Sequence, residues 1–110
     1  MDPLSRVTAA TIDVLRVLVD ASEPSWGLQV IKSSDRPAGS VYPILERLES
    51  MGWVRSSWET DDSRSGPRRR YYELTEGGIE SAATAVRDFD SRAARRSEAP
   101  RFITPLSVNA

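Results

Sequence analysis

The feature that most constrains the fold is a change in hydrophobic spacing at Gly52. Before this glycine, apolar side chains recur every three or four residues, as they do on one face of an α-helix; they are Val41, Ile44, Leu45, Leu48 and Met51. After it, residues 53–59 and 68–74 alternate as β-strands do, and the polar loop 60–67 separates them. The segment therefore predicts a helix that ends at Gly52 and leads directly into a β-hairpin.

Two shorter helices are predicted before this one. Residues 8–20 carry apolar side chains at helical spacing, and Thr8 is the expected N-cap. Residues 25–33 are expected to form a second helix that begins at Ser25. Its inward-facing residues are expected to be Leu28 and Ile31. Two short helices joined by a few residues, here 33–39, form a helix-turn-helix arrangement.

The start of the third helix contains a proline, Pro43. If the helix begins near residues 37–40, this proline falls in the first turn, where its missing N–H costs no hydrogen bond. The exposed N-terminal end of the helix would then be formed by Gly39, Ser40, Tyr42 and Pro43. That end of a helix-turn-helix enters the major groove of DNA, and its free N–H groups also favour a phosphate. The alternative is an ordinary capped helix start with nothing bound.

A long final helix is predicted over residues 75–96, with Thr75 as its cap. Gly77 and Gly78 weaken its first turn, and either tight packing or a hinge would explain why glycines occur there. An apolar stripe follows at helical spacing and consists of Ile79, Ala82, Ala83, Val86, Phe89 and Ala93. Residues 97–110 lack periodicity and contain two prolines, so an extended or disordered tail is expected.

This order of elements predicts a mainly α-helical winged helix-turn-helix domain with a two-stranded wing, followed by a C-terminal dimerisation helix. The expected segments are a DNA-binding domain over residues 1–74, the dimerisation helix over 75–96 and the tail over 97–110. A winged-helix body leaves little room for so long a helix, so much of its stripe is expected to need a partner. Val14 and Val17 lie off the main stripe of the first helix and are candidates for the receiving face.

Composition excludes several classes of function. The 110 residues include no cysteine and no histidine, so disulfides, thiolate metal sites, the usual zinc ligands and the commonest general base are absent. No Gly-rich phosphate loop occurs and the acids form no isolated pair in an apolar setting, so we expect neither an enzyme nor a cofactor. No apolar run is long enough to span a membrane, and a cytoplasmic protein is expected.

Three blocks resemble the PadR-like family of transcriptional regulators. They are WGLQVIK at residues 26–32, GSVYPILERLESMGWV at 39–54 and GPRRRYYELTEGG at 66–78. The middle block is the most specific, because a Tyr-Pro pair is unusual in a recognition helix. The resemblance covers about residues 8–80 and implies a homodimeric DNA-binding regulator, most often a repressor. Many family members have several C-terminal helices, whereas this chain has one predicted helix and a tail.

The resemblance and the residues together nominate a DNA-contacting set: Gly39, Ser40, Tyr42, Pro43, Arg47, Arg68, Arg69 and Arg70. Each has an alternative role: the Tyr42 ring could pack over the wing instead, and Arg47 could pair with Glu46. Adjacent strand residues point to opposite sides, so either Arg69 alone or Arg68 and Arg70 together would face the duplex. The helix tip is expected to set specificity and the wing mostly affinity. The net charge of −1 and acids in the wing, Glu59, Asp61 and Asp62, oppose phosphate binding.

The expected dimer interface consists of Val14, Val17, Ile79, Ala82, Val86, Phe89 and Ala93. Two-fold symmetry would then imply a palindromic operator with half-sites about one helical turn apart. Some PadR-like proteins bind flat aromatic ligands between protomers, so the resemblance admits an aromatic small-molecule inducer near Trp26, Trp53 or Trp58; the alternative is that these rings only pack. A second interpretation of the whole chain is a winged-helix module for protein contact alone. Three successive arginines in the wing favour the DNA interpretation.

Overall fold

The computed structural model describes residues 7–60 and 65–108, with side chains described up to residue 96. The elements, in chain order, are α1 (Ala9–Asp20), β1 (Ser25–Trp26), α2 (Gly27–Ser34), α3 (Ala38–Ser50), β2 (Val54–Trp58), β3 (Arg70–Leu74) and α4 (Glu76–Val108). The strands form an antiparallel sheet in the order β1-β3-β2. The mainly α-helical winged fold is therefore confirmed, with a short third strand added to the predicted hairpin.

The core lies between the first three helices, the sheet and the first turns of α4, because each presents an apolar face to the others. Its buried residues are Ile12, Val14, Leu15, Leu18, Val30, Val41, Leu45, Leu48, Trp53, Val54, Tyr72 and Ala82. Val14 and Ala82 are fully buried within one protomer. Neither can contact a partner as predicted, because no surface of either side chain remains to be covered.

The start of α2 differs from the prediction. Ser25 does not open the helix; it is buried and pairs with Tyr72 in the sheet. Leu28 is exposed rather than inward-facing, and Val30 is fully buried instead. The reason is the close approach of α3: a Cβ on Gly27 would lie 2.5 Å from the hydroxyl oxygen of Tyr42. The glycine therefore has to face inward, which places the adjacent leucine about 100° away around the helix.

The start of α3 also corrects an expectation. The helix begins at Ala38 after the N-cap Pro37, so Pro43 is its sixth residue and lies in the second turn, not the first. Proline has no N–H, so the carbonyl oxygen of Gly39 has no partner four residues later. This arrangement is tolerated because Gly39 is exposed and its carbonyl group can be hydrated.

The end of α3 and the start of α4 follow the predicted caps. Gly52 adopts φ 83°, and the N–H groups of Gly52 and Trp53 donate to the carbonyl oxygens of Glu49 and Leu48. These two bonds form a Schellman motif. Thr75 caps α4 by accepting a hydrogen bond from the N–H of Gly78 at 3.0 Å.

The C-terminal prediction is wrong for residues 97–108. The backbone remains helical to Val108, through both Pro100 and Pro105, rather than becoming extended after residue 96. Adding residues to a helix that already has several turns is much less costly than starting one, and residues 91–99 are rich in arginine and alanine, which favour helix. Residues 1–6 and 109–110, like 61–64 in the wing loop, lie outside the described residues.

Candidate nucleic-acid interface

A groove of about 580 Å³ joins the recognition helix to the wing. Its lining comes from β1 and α2 on one side, from α3, and from the hairpin: Trp26, Gly27, Leu28, Tyr42, Trp58, Pro67, Arg68, Arg69, Arg70 and Tyr72. Four of these side chains are aromatic and three are arginines. The N-terminal part of α3 and the arginine-bearing wing thus share one surface, as the DNA interpretation requires.

The helix tip is open to solvent. Gly39 is exposed, and a Cβ placed there would meet no other atom within 4 Å. Pro43 and Arg47 are also exposed, whereas Ser40 is half-buried. Tyr42 packs one part of its ring against Gly27 and keeps 42% of its surface exposed. Its close neighbour is thus the start of α2, a contact that neither sequence-based alternative included.

Arg69 is held on the side of the wing that faces β1. Its guanidinium lies 3.8 Å from the ring centroid of Trp26, a short cation–π contact. The Nε atom is buried and has no hydrogen-bond partner, so stacking on the indole face offsets part of its lost hydration. The sequence left Trp26 as a possible ligand contact or a ring that only packs; in the structure it packs against this arginine.

The acidic residue Glu59 does not oppose phosphate binding in the way its sequence position implies. Its backbone N–H donates to the carbonyl oxygen of Arg69 at 2.7 Å, and its carboxylate accepts from the N–H of Arg69 at 3.4 Å. The carboxylate is therefore directed at the wing backbone. Asp61 and Asp62 lie outside the described residues.

Arg70 faces the opposite side of the wing and contacts α3. Its Nη2 atom lies 3.2 Å from Oε1 of Glu49, and its Nε and Nη2 atoms donate to the hydroxyl of Ser56. Tyr72 is buried beside it, and burial raises the pKa of the phenol while the nearby Arg70 opposes that shift. Sequence analysis missed Glu49 and Ser56, because no spacing pattern signals a contact between residues so far apart in the chain.

Arg68 is exposed on the rim of the groove. The three arginines therefore have different surroundings: Arg68 is at the surface, Arg69 lies on an indole ring and Arg70 is bound to α3. Strand alternation offered two alternatives, Arg69 alone or Arg68 and Arg70 together, and neither describes these three surroundings. Alternation correctly separates Arg69 from Arg70, but it cannot show that both already have partners within the protomer.

The predicted dimer face is partly available. Ile79 is exposed and lines a shallow groove with Leu18, Val19 and Leu74. The other residues of the predicted interface that keep some exposed surface, all half-buried, are Val17, Val86, Phe89 and Ala93. Val19, one of the apolar residues at helical spacing in α1 and therefore expected to face inward, is exposed, which makes it a better candidate than the buried Val14.

Two findings concern metal ions and membranes in the described part of the chain. Its residues contain no group of three acidic, histidine or cysteine side chains placed to hold a metal ion. Among the helices described, none is both long and apolar enough to cross a membrane.

Comparisons with known proteins agree with this geometry. The model of the transcriptional regulator PadR-like family matches residues 14–84. A comparison with curated proteins finds no match. Among solved structures, a PadR family transcription regulator from Clostridium difficile R20291 has a TM-score of 0.60 and 25% sequence identity, covering 84% of this chain and 97% of that one.

Two further solved structures share the fold. A PadR-like transcription factor from Bacteroides fragilis has a TM-score of 0.61 and 20% identity, covering 80% of this chain and 86% of that one. BpsR of Bordetella bronchiseptica, whose DNA binding is regulated by 6-hydroxynicotinic acid, has a TM-score of 0.67 and 23% identity, covering 89% and 70%. The matched family model spans the helix-turn-helix, the wing and the start of α4. This chain therefore belongs to the PadR-like family of transcriptional regulators.

Proposed function

We propose that the protein is a sequence-specific, double-stranded-DNA-binding repressor that acts as a homodimer on a palindromic operator. The observation that carries this proposal is the shared groove between the tip of α3 and the wing. An open helix tip beside exposed arginine matches the way a winged helix-turn-helix meets a duplex. Family membership adds the expectation of DNA-dependent regulation.

Within this proposal, the tip reads bases and the wing supplies affinity. Gly39 and Pro43 let the backbone of α3 approach base edges, and Ser40 and Tyr42 offer polar groups at the same end. Arg47 offers its guanidinium from the last turn of the helix. Arg68 contacts a phosphate from the groove rim, and Arg69 is presented by Trp26 at its edge. Phosphate contacts set position, whereas the groove contacts of α3 set sequence preference.

Dimerisation through α4 would repeat this surface by two-fold symmetry. The supporting observation is the exposed apolar pair Ile79 and Val19, together with the half-buried stripe farther along α4. The two recognition helices would then read half-sites about one helical turn apart. An aromatic small-molecule inducer also belongs to the proposal, with Trp26 and Trp58 as the rings that line the groove and Trp53 buried away from it.

The test is binding to a duplex selected from random sequence by the purified protein. Fluorescence anisotropy should show affinity that falls steeply with salt, by a slope of about −0.9 in log K against log salt for each phosphate contact. Arg68→Ala should weaken binding and reduce that slope by about 0.9, because one contact is lost. Tyr42→Phe keeps the ring on Gly27 and removes only the hydroxyl, so it isolates a hydroxyl contact.

Arg92→Ala is the matched control for charge. Arg92 is an exposed arginine on α4 and does not line the groove, so its loss changes the net charge equally without removing a proposed contact. Affinity and salt slope should stay close to wild type. Failure to select any duplex at low salt would overturn the proposal and favour the protein-contact interpretation; equal effects of both arginine substitutions would overturn the role of Arg68.

A further inference from the structure

We propose that Glu49, Ser56 and Arg70 form a latch that holds the wing against the recognition helix. We refer to these three side chains as the wing latch. Arg70 then acts on DNA binding as a positioning residue rather than as a phosphate contact. This inference rests on the proposed function for its DNA consequence, although the latch itself exists without DNA.

The wing latch is a closed ring of hydrogen bonds between three elements. Arg70 Nη2 donates to Glu49 Oε1 at 3.2 Å and to Ser56 Oγ at 2.8 Å. Arg70 Nε donates to the same Ser56 oxygen at 3.1 Å, and Ser56 Oγ donates its one proton to Glu49 Oε2 at 2.7 Å. Every donor and acceptor in the ring is used in a way its chemistry permits. The ring ties the last turn of α3 to both strands of the wing.

The surroundings restrict the arginine further. Its guanidinium lies 5.6 Å from the ring centroid of Trp58 and 5.7 Å from that of Tyr72, within cation–π range of both. The side chains of Arg70 and Glu49 are 41% and 33% exposed. Water therefore reaches the pair but does not surround it, and the geometry is more defined than in a typical surface ion pair.

The position of the latch explains why it would matter. The hairpin is attached to the body at its base, where Val54 and Leu74 pair. Ser56 and Arg70 lie farther along the two strands, toward the loop at 60–67. At this level β1 pairs with β3 at Tyr71 and Tyr72, whereas the latch is the contact with α3. Without the latch, the outer part of the wing could pivot relative to α3. A mobile wing would have to become ordered when DNA binds, and the free-energy cost of that ordering would lower the affinity.

A phosphate contact and a positioning role predict opposite results at Glu49. If Arg70 binds a phosphate, removing the negative charge of Glu49 frees the arginine and strengthens DNA binding. If Arg70 positions the wing, the same substitution breaks the latch and weakens binding. Salt dependence separates the two roles when Arg70 itself is substituted. Only a lost phosphate contact reduces the magnitude of the slope of log K against log salt by about 0.9.

The experiment compares Glu49→Gln, Arg70→Gln and the double variant with wild type on the selected duplex across a salt series. We expect each single variant to weaken binding about tenfold with a nearly unchanged slope, because ordering cost and not charge is altered. The double variant should bind no more than about twofold more weakly than either single one, because the two residues act as one unit. Glu46→Gln is the matched control: it removes an exposed acid from the same helix outside the latch and should not weaken binding.

A second measurement needs no DNA. Amide hydrogen exchange at residues 54–58 and 70–74 should be several-fold faster in Glu49→Gln and Arg70→Gln than in Glu46→Gln, because local opening of the hairpin becomes easier. Unchanged exchange, tighter DNA binding by Glu49→Gln, or a slope lowered by about 0.9 in Arg70→Gln would each overturn the latch. Absence of duplex binding by wild type would instead overturn the proposed function, and the exchange result would still decide the latch.

Discussion

Gly78 is the point at which α4 comes closest to the base of the wing. A Cβ there would overlap the backbone carbonyl oxygen of Trp53, which neighbouring side chains cannot relieve by moving. A Cβ on the adjacent Gly77 would meet nothing within 4 Å. The sequence offered tight packing or a hinge as reasons for this glycine pair. Packing accounts for Gly78 alone.

This contrast gives a prediction at two neighbouring residues. Gly78→Ala should destabilise the fold by about 1–3 kcal/mol, the range for forcing extra atoms into a packed site. Gly77→Ala should be neutral or stabilise it by up to about 1 kcal/mol, because alanine restricts the unfolded chain and favours helix. Urea denaturation midpoints would measure both. Similar midpoints for the two variants would contradict the close contact between α4 and the Trp53 carbonyl.

At the scale of elements, a bidentate ion pair joins α4 to α1. Arg16 Nη2 donates to Asp90 Oδ1 at 2.6 Å, and Nη1 donates to Oδ2 at 3.2 Å. The hydrogen bond from Arg16 lowers the pKa of the Asp90 carboxyl, and the same bond raises the pKa of Arg16. Asp90 directly follows Phe89, which packs against the core, so the pair adds a polar link between α1 and α4 beside that apolar contact.

The ion pair predicts a dependence on pH with a definite sign. Because the folded pKa of Asp90 lies below its unfolded value, the contribution to stability is present above the ordinary value of 3.8 and is lost as pH falls through the folded pKa. Asp90→Asn should therefore have a lower urea midpoint than wild type at pH 7, and the difference should shrink below pH 3.8. The effect should be modest, because the pair is exposed.

Asp88→Asn serves as the control for this pH experiment. Asp88 is an exposed acid on α4, two residues from Asp90, so its substitution removes the same charge without breaking the link to α1. Its midpoint should follow wild type at both pH values. A difference between Asp90→Asn and wild type that persists unchanged in acid would show that the stabilisation does not come from the ionised pair.

At the scale of the whole molecule, α4 extends well beyond the body. The 33 residues of this helix span about 50 Å at 1.5 Å per residue, against molecular extents of 72 × 30 × 24 Å. An isolated helix in water gains little from propensity alone, so the proposed dimer predicts that this helix packs against a second copy. Two copies would also cover the exposed Ile79 and Val19.

The dimer is tested by substituting an exposed apolar residue, so that the substitution does not disturb the folding of the protomer. Ile79→Lys should weaken self-association at least tenfold, because a charged group would be buried in the proposed interface. Leu28→Lys is the matched control, since Leu28 is equally exposed but lies in the DNA-facing groove. Sedimentation equilibrium at micromolar concentration would distinguish them. A monomeric wild-type protein would remove the dimer, and the palindrome with it.

The sequence by itself determined most of the elements and those of their ends that a local cap fixes. Thr8, Gly52 and Thr75 were identified as caps and have that role, because a cap depends on residues within a few positions of itself. The change from helical to alternating spacing likewise predicted the recognition helix and the wing. The helix was expected to end near residue 96 because of two prolines, Pro100 and Pro105, but the backbone remains helical through both.

Only the tertiary structure decided which faces are covered and which cations already have partners. Val14 was expected at the dimer surface but is buried, and Leu28 was expected to face inward but is exposed. Burial depends on the neighbouring helices and not on periodicity alone. The run of three arginines looks uniform in sequence, yet one stacks on Trp26 and another is bound by Glu49 from a separate element. A strand pattern assigns side chains to faces, but the partner on each face comes from distant parts of the chain that meet only on folding.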